Sequence, residues 1–358
     1  MVVYRHRKQL SRLSPGSSPW LFPITLTCIL ITTCLITAYL AGLAKGSIIT
    51  RTQSHNPTLS HDGRCTNPPT RREWRTLTTR EQRIYINAAL RLQIKPSILT
   101  GNGTLNDDLV HIHQLIGSAS HKSASFLPWH RAFLHVYETI LKTHCEYPRD
   151  MTLPYWNWEL DWSSLATSSI FSDETGFGGD GNESYPLGPG DGRCVTTGPF
   201  AYSKRLWFEG KVKPHCMGRR FVYFGTNEGN AINGSWYAPE VMGRVRRAPD
   251  YQTFREMLEG TVHNGLHWSI RGDFASFSAA NDPIFWLHHG QLDRLWWEWQ
   301  ARDMEVRSTE YWGVPVETDW PGATTWSLED DMTFGDLWGN ITVSEVMRTD
   351  EGILCYRY

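Results

Sequence analysis

The stretch Leu258–Trp299, LEGTVHNGLHWSIRGDFASFSAANDPIFWLHHGQLDRLWWEW, decides how the rest of the chain is read. His263 and His267 stand four apart in a run with helical character, so both imidazoles leave one helix face about one turn apart. Downstream, Asp282-Pro283 has the makings of a helix start: a capping side chain, then a proline suited to the first turn. The helix it opens carries His288 and His289 back toward the same region. A histidine pair at this spacing is more often core or surface than a ligand set. An upstream partner changes that balance.

The partner is Asp108–Glu138, DLVHIHQLIGSASHKSASFLPWHRAFLHVYE. It spaces His113, His121 and His130 by eight and nine residues, with a helix expected from about Pro128-Trp129 through Tyr137. Two histidine triads, each with an aromatic-rich helix, point to two three-histidine metal sites facing each other. Neither has the Glu-x-x-His pair of di-iron bundles, and no cysteine lies among the ligands as in structural zinc sites. All-imidazole ligation suits copper, with zinc the main competitor on ligand type.

These two stretches resemble the copper A and copper B motifs of the tyrosinase, catechol oxidase and hemocyanin superfamily. Their flanks are most similar to short ascomycete tyrosinase-like proteins. The resemblance runs from about Cys65 to Tyr356-Arg357-Tyr358, with WHRAF and DPIFWLHHGQLDRLWWEW its most specific parts. It implies two copper ions that bind O2, hydroxylate monophenols and oxidise o-diphenols to o-quinones. It implies His113, His121 and His130 for copper A, and His263, His267 and His289 for copper B. His288 takes a supporting role, and His111 has a weaker case than His113, which alone lies eight residues before His121. Glu259 and Asn264 match positions that in some tyrosinases hold a water assisting phenol deprotonation. The competing reading makes them a first-turn residue and a polar surface residue.

Asp293 and Glu138 are candidate acceptors for the outer ring nitrogens of the ligands, against a plainer reading as helix-surface ion pairs. Two departures from the family pattern stand out. Ala119 occupies the position two before the second copper A ligand where fungal relatives carry a thioether-forming cysteine, so a less restrained His121 is expected. Arg91 stands where the resemblance implies a cysteine in the helix around Ala88–Leu92, which leaves Cys65 without its usual partner. The closing Tyr-x-Tyr resembles the end of the family's catalytic core, from which an open site is expected, unless a separate covering or copper-delivery partner meets it.

From pattern alone the chain is a mainly helical metalloprotein. The resemblance sharpens this to a four-helix bundle holding a binuclear copper site, with long irregular loops, preceded by one N-terminal transmembrane helix. Residues 20–44 carry no charge and are long enough for a hydrocarbon core of ~30 Å. Arg5, Arg7, Lys8 and Arg12 precede them, which places 1–19 in the cytosol and the remainder in the lumen or outside. A cleaved signal peptide ending near Gly42-Leu43-Ala44 is the alternative. A stem at 45–64 and a catalytic domain at 65–358 complete the expected organisation.

The net charge of −2, with no basic block beyond the N-terminus, gives no footing for nucleic acid. Sequons at Asn102, Asn182, Asn233 and Asn340 fit an exported domain. Five of the seven cysteines fall after the apolar run, and Cys194 with Cys216 is the best expected disulfide. The glycine- and serine-rich stretch from Ser163 to about Asn233 reads as ordered loops around that staple, and TGFGGDG within it as a turn. LPYWNWELDW, Leu153–Trp162, is expected as a buried aromatic connector beneath the metal helices.

The expected partners are O2 and a phenol, either a small molecule or a tyrosyl peptide, in pigment or secondary-metabolite chemistry. Catechol oxidase without the hydroxylase step is the runner-up, and a hemocyanin-like O2 carrier the reading from another class.

Overall fold

The computed structural model describes residues 63–222, 232–313 and 326–358. The expected tail, membrane anchor and nearly all of the stem lie outside the described residues. Among those described, no helix is long and apolar enough to cross a membrane.

Helix α1 spans Thr79–Leu92 and opens with a capping box formed by Thr78 and Glu81. Its buried side is centred on Tyr85, Ala88, Ala89 and Leu92, with Ile84 only half-buried. Helix α2, Leu105–Ser120, has a second box of the same kind, Thr104 with Asp107. Helix α3 covers Phe126–His144, longer at both ends than the sequence suggested. Pro128 is its third residue and not its start, which costs nothing because the first four helical N–H groups have no intrahelical acceptor.

Helices α4 (Pro239–Arg246) and α5 (Tyr251–Met257) follow. A π-helical turn at Leu258–His263 joins α5 to α6 (Asn264–Ile270), making one helical run from Tyr251 to Ile270. Such turns concentrate at functional sites because the extra residue re-aims the side chains around it. Helix α7 spans Ile284–Gln300, and α8, Met304–Arg307, is a single turn. Asp282 performs the expected capping from two residues away: its Oδ1 accepts the Ile284 N–H at 3.1 Å, while both oxygens bind Arg219 at 2.6 and 2.8 Å.

The core forms where α3 crosses α7. Tyr137 stacks on Trp286 with centroids 3.8 Å apart, and Phe133 packs on the same indole at 5.0 Å. Asp293, in the middle of α7, accepts from Arg131 at 2.5 Å and Arg71 at 3.2 Å. It also takes the hydroxyls of Tyr356 at 2.7 Å and Tyr358 at 2.5 Å. A carboxylate buried this deeply needs that company. The Tyr-x-Tyr motif therefore ties the chain's last residues to the centre of α7.

Sheet structure is slight among the described residues: β1 (Arg193–Cys194) pairs with β4 (Gly218–Arg219), β2 (Lys204–Phe208) with β3 (Lys211–Cys216) as the longest hairpin, and β5 (Asp331–Met332) with β6 (Ile341–Thr342). Cys194 and Cys216 are joined, with Cα atoms 5.3 Å apart, and staple this region. Cys65 pairs with Cys355, a partner not anticipated from the missing cysteine at Arg91. Cys145 is left as a buried thiol, pushed up to about 12 by its surroundings, burial first.

In the aromatic connector Trp156 and Trp158 are buried as expected, but Leu160 and Trp162 are exposed because the chain turns outward there. Of the sequons, Asn102 and Asn340 are exposed, whereas Asn233 is 7% exposed with its Oδ1 committed to Ser235.

Candidate metal centre

The two histidine triads meet between α2, α3, the Tyr251–Ile270 run and α7. His113 sits mid-α2, His121 ends that helix and His130 lies in the first turns of α3. One ring nitrogen from each lies within 4.8 Å of the other two. His263 closes the π-helical turn, His267 is one turn on in α6, and a ring nitrogen of His288 completes a second group of the same size. His289 stands just outside it. Its ring stacks on His130 at 4.3 Å and lies 5.2 Å from His263, so it lies at the seam between the groups.

Hydrogen bonds to the outer nitrogens decide which atoms are free to bind a cation. Nδ1 of His113 donates to the Phe277 carbonyl at 2.7 Å, that of His121 to Gly117 at 2.8 Å and that of His130 to Phe126 at 2.7 Å. His267 donates to the Phe274 carbonyl and His263 to Oδ1 of Asn264 at 3.0 Å. In a neutral imidazole a proton on Nδ1 leaves Nε2 as a lone pair. Nε2 of His113 and of His130 are buried without a partner. Those of His263 and His267 face each other at 2.9 Å, close enough to share a proton or to ligate one cation.

The rings are neutral. Burial pushes His113 and His267 down to about 4, and burial followed by the neighbouring imidazoles holds His121, His130, His263 and His289 well below the usual range. Neutral, oriented, unpartnered imidazoles are what a copper pair requires.

Backbone carbonyls orient four of these rings and the Asn264 side chain orients His263; Asp293 and Glu138 orient none of them. Asp293 serves the arginines and tyrosines of the core, and Glu138 pairs with Arg71 and Lys142, each at 2.8 Å. Carbonyl acceptors leave no mark in the sequence, so these contacts were not legible there. The same bond answers the expectation for His121: with Ala119 beside it in place of a cysteine, the ring is held by the Gly117 carbonyl. A hydroxyl pair, Ser123 and Ser125, also holds the Ala119 carbonyl.

Glu259 is 3% exposed. Its Oε1 accepts the Lys122 N–H at 2.6 Å, and its Oε2 accepts from Arg255 at 3.3 Å. Burial raises its carboxyl to about 7 against the lowering influence of both contacts. Asn264 spends its oxygen on His263.

A cavity of about 570 Å³ opens on the triads. Its rim carries Phe277 and Trp268, 41% and 40% exposed. The Phe277 ring also covers His121, with centroids 5.1 Å apart. It packs against Gly117 so closely that a Cβ there would lie 2.6 Å from it.

Comparison with known proteins agrees with this geometry. Residues 104–302 match the model of the common central domain of tyrosinase. The tyrosinase-like protein phomQ2 of Diaporthe leptostromiformis is 44% identical over 84% of this chain and 75% of its own length. Tyrosinase ustQ of Aspergillus flavus is 42% identical over 89% and 88%. Among solved structures, a variant polyphenol oxidase from Thermothelomyces thermophila superposes with a TM-score of 0.70 at 28% identity, covering 84% of this chain and 90% of that one. A family model spanning more than half the chain, relatives above 40% identity and two converging histidine triads leave one conclusion: the chain belongs to the tyrosinase family of binuclear copper oxidases.

Proposed function

We propose that the protein hydroxylates a monophenol and oxidises the resulting o-diphenol to an o-quinone, with O2 as oxidant. The observation that carries this reading is the set of neutral, buried imidazole lone pairs beneath an open cavity with an aromatic rim. The copper pair supplies the activation of O2. The rest is done by the chain: Phe277 and Trp268 offer faces on which a phenol ring can stack, and the carbonyl-anchored imidazoles hold the metals in place without reorganisation.

The ligands are His113, His121 and His130 for copper A, and His263, His267 and His289 for copper B. Proximity alone favours His288 over His289, but the Trp158 indole N–H reaches Nδ1 of His288 at 3.2 Å. That bond puts the proton of His288 on Nε2 and removes its lone pair from the site. Both nitrogens of His289 are buried without a partner, so it has a lone pair to give.

Glu259 and Asn264 act on the phenol proton through a shared water, the carboxylate as base and the amide N–H as the group that positions the water. A carboxyl held near 7 is matched to that task at neutral pH. A second reading, diphenol oxidation alone, is favoured by one observation: both Glu259 oxygens already have donors in Lys122 and Arg255.

Export of the domain by the N-terminal segment, as an uncleaved anchor, belongs to the same proposal. Two disulfides and exposed sequons at Asn102 and Asn340 support it. A role in fungal secondary metabolism is supported by the likeness to phomQ2 and ustQ.

The test is made on the full-length protein loaded with copper. Near-ultraviolet absorption is recorded on adding O2 or peroxide, then O2 uptake with tyrosine, a tyrosyl peptide and a catechol. Uptake on the monophenols that climbs with pH through about 7 and drops ~10²-fold or more in E259Q supports the hydroxylase reading. Catechol turnover alone assigns the protein to diphenol oxidation. An absorption band with no turnover on any phenol overturns both.

A further inference from the structure

The mouth of the copper cavity is not electrically neutral, and its charge is built in by the backbone. Strands β2 and β3 turn through Glu209 and Gly210, with Phe208 paired to Lys211 across the turn. Both turn residues have positive φ, 48° and 72°, the geometry of a two-residue hairpin turn in which Asn, Asp or Gly usually takes the first place. A glutamate there is held in a conformation that a side chain with Cβ and Cγ disfavours. Two hydrogen bonds hold it. The Glu209 N–H donates to Ser278 Oγ at 2.9 Å, and the Gly210 N–H donates to Gln114 Oε1 at 3.0 Å.

Both anchors adjoin the metal site. Gln114 follows His113 on α2, and Ser278 follows Phe277, whose carbonyl orients His113. Gln114 and Ser278 are themselves bonded at 2.8 Å. The hairpin tip is thereby fixed to the two segments that frame copper A, and Glu209 lines the cavity mouth. It is exposed, and it is the only Asp, Glu, Lys or Arg among the described residues that line the cavity. The nearby cations Lys122 and Lys211 are exposed but do not line it.

We propose that Glu209 is a specificity-determining residue, selecting phenols that bear a cationic ammonium or guanidinium group beyond the ring. Tyramine-like amines and tyrosyl peptides with a nearby Lys, Arg or free amino terminus belong to this class. Phenols bearing a carboxylate at that end are disfavoured. The inference rests on the reading of the cavity as a phenol site. A phenol seated with its hydroxyl toward the imidazoles extends its para substituent toward the mouth, where the carboxylate meets it. The charge is exposed, so its effect is modest and sensitive to salt.

The test compares tyramine, p-cresol and 3-(4-hydroxyphenyl)propionate, three phenols that differ mainly in the charge at one end. Dissociation constants are measured by calorimetry and, in parallel, O2 uptake on the copper-loaded full-length protein. The wild type is expected to bind tyramine about three- to tenfold more tightly than p-cresol at low salt, with the propionate weakest. The preference falls toward unity in E209Q, reverses in E209K, and shrinks at about 0.5 M salt. Unfolding temperatures for both variants confirm that the hairpin still forms. A tyramine preference that persists in E209Q, or a wild type that favours the propionate, overturns the proposal. If all three bind with the expected order but none is oxidised, the charge selection stands and the oxidase reading fails. If p-cresol is oxidised and charge does not matter, the oxidase reading stands and this proposal fails.

Discussion

His263 and His267 turn their Nε2 atoms toward each other at 2.9 Å while their Nδ1 atoms are committed to Asn264 and to the Phe274 carbonyl. The two nitrogens are brought together only by the folded chain, so a cation that engages both binds the native state and not the unfolded one. Copper binding should therefore stabilise the fold and not merely activate it. At free copper about 100-fold above its dissociation constant the gain is ~2.7 kcal/mol per site by mass action. Calorimetric melting of the apo and loaded protein would show this as a rise of several degrees, reversed by a chelator. Equal melting temperatures would contradict it.

His288 and His289 are adjacent, yet their environments assign them opposite duties. Substituting His289 by Ala should lower bound copper from about two per chain to about one. Substituting His288 by Gln should retain both metals while costing about 1–3 kcal/mol, because the Trp158 indole N–H is left without its acceptor in the core. Metal analysis of the two purified variants checks the pair. Loss of copper in H288Q with retention in H289A would exchange the assignments.

The histidine clusters were legible in the sequence as two triads on helical segments, but spacing alone left the His263–His267 step open to a core or surface reading, and the choice of six ligands came from the resemblance to the family motifs. The capping box of Thr78 with Glu81 is local chemistry, a Thr three residues before a Glu at a helix start, whereas that of Thr104 with Asp107 emerged only from the fold. What orients the ligands was not legible, since the carbonyls of Gly117, Phe126, Phe274 and Phe277 belong to the backbone and any residue could supply them. The π-helical turn at Leu258–His263 was hidden for the same reason. The Cys65–Cys355 bond spans almost the whole domain, and such separations leave no local trace. The Glu209–Gly210 tip carried a weak signal, a glycine at the second position of a short turn, but only the fold brings it to the copper cavity.

Asp293 is expected to be the most costly single carboxylate to neutralise. It serves Arg131, Arg71, Tyr356 and Tyr358 at once and is 4% exposed. Replacing it with Asn leaves the buried Arg131 guanidinium without an anion and Arg71 with Glu138 alone, a change of about 3–5 kcal/mol. Urea unfolding of D293N should show that loss, and D293N combined with Y356F should lose less than the sum of the two singles because they share a hydrogen bond. Strict additivity would mean that the tyrosine hydroxyl contributes nothing through Asp293.

His215 offers the clearest pH dependence of stability outside the ligands. Burial lowers the affinity of its ring for a proton, but the hydrogen bond and charge of Asp273, with help from the Lys213 carbonyl, outweigh burial and raise the net pKa. The native state therefore holds this proton more tightly than the unfolded chain. The resulting stability is fully present below the unfolded value of about 6.5 and is lost as pH rises through the higher native value. Asp273 also accepts the Gly218 N–H at 2.8 Å and the Asn281 amide at 2.8 Å, and it precedes Phe274, whose carbonyl orients His267. Deprotonation should thus loosen a segment that leads directly to the metal site. The unfolding free energy of the wild type should decline from pH 6.5 upward relative to H215Q, whose amide still reaches Asp273 but does not titrate. Parallel pH profiles for the two proteins would show that the ring stays neutral in the fold.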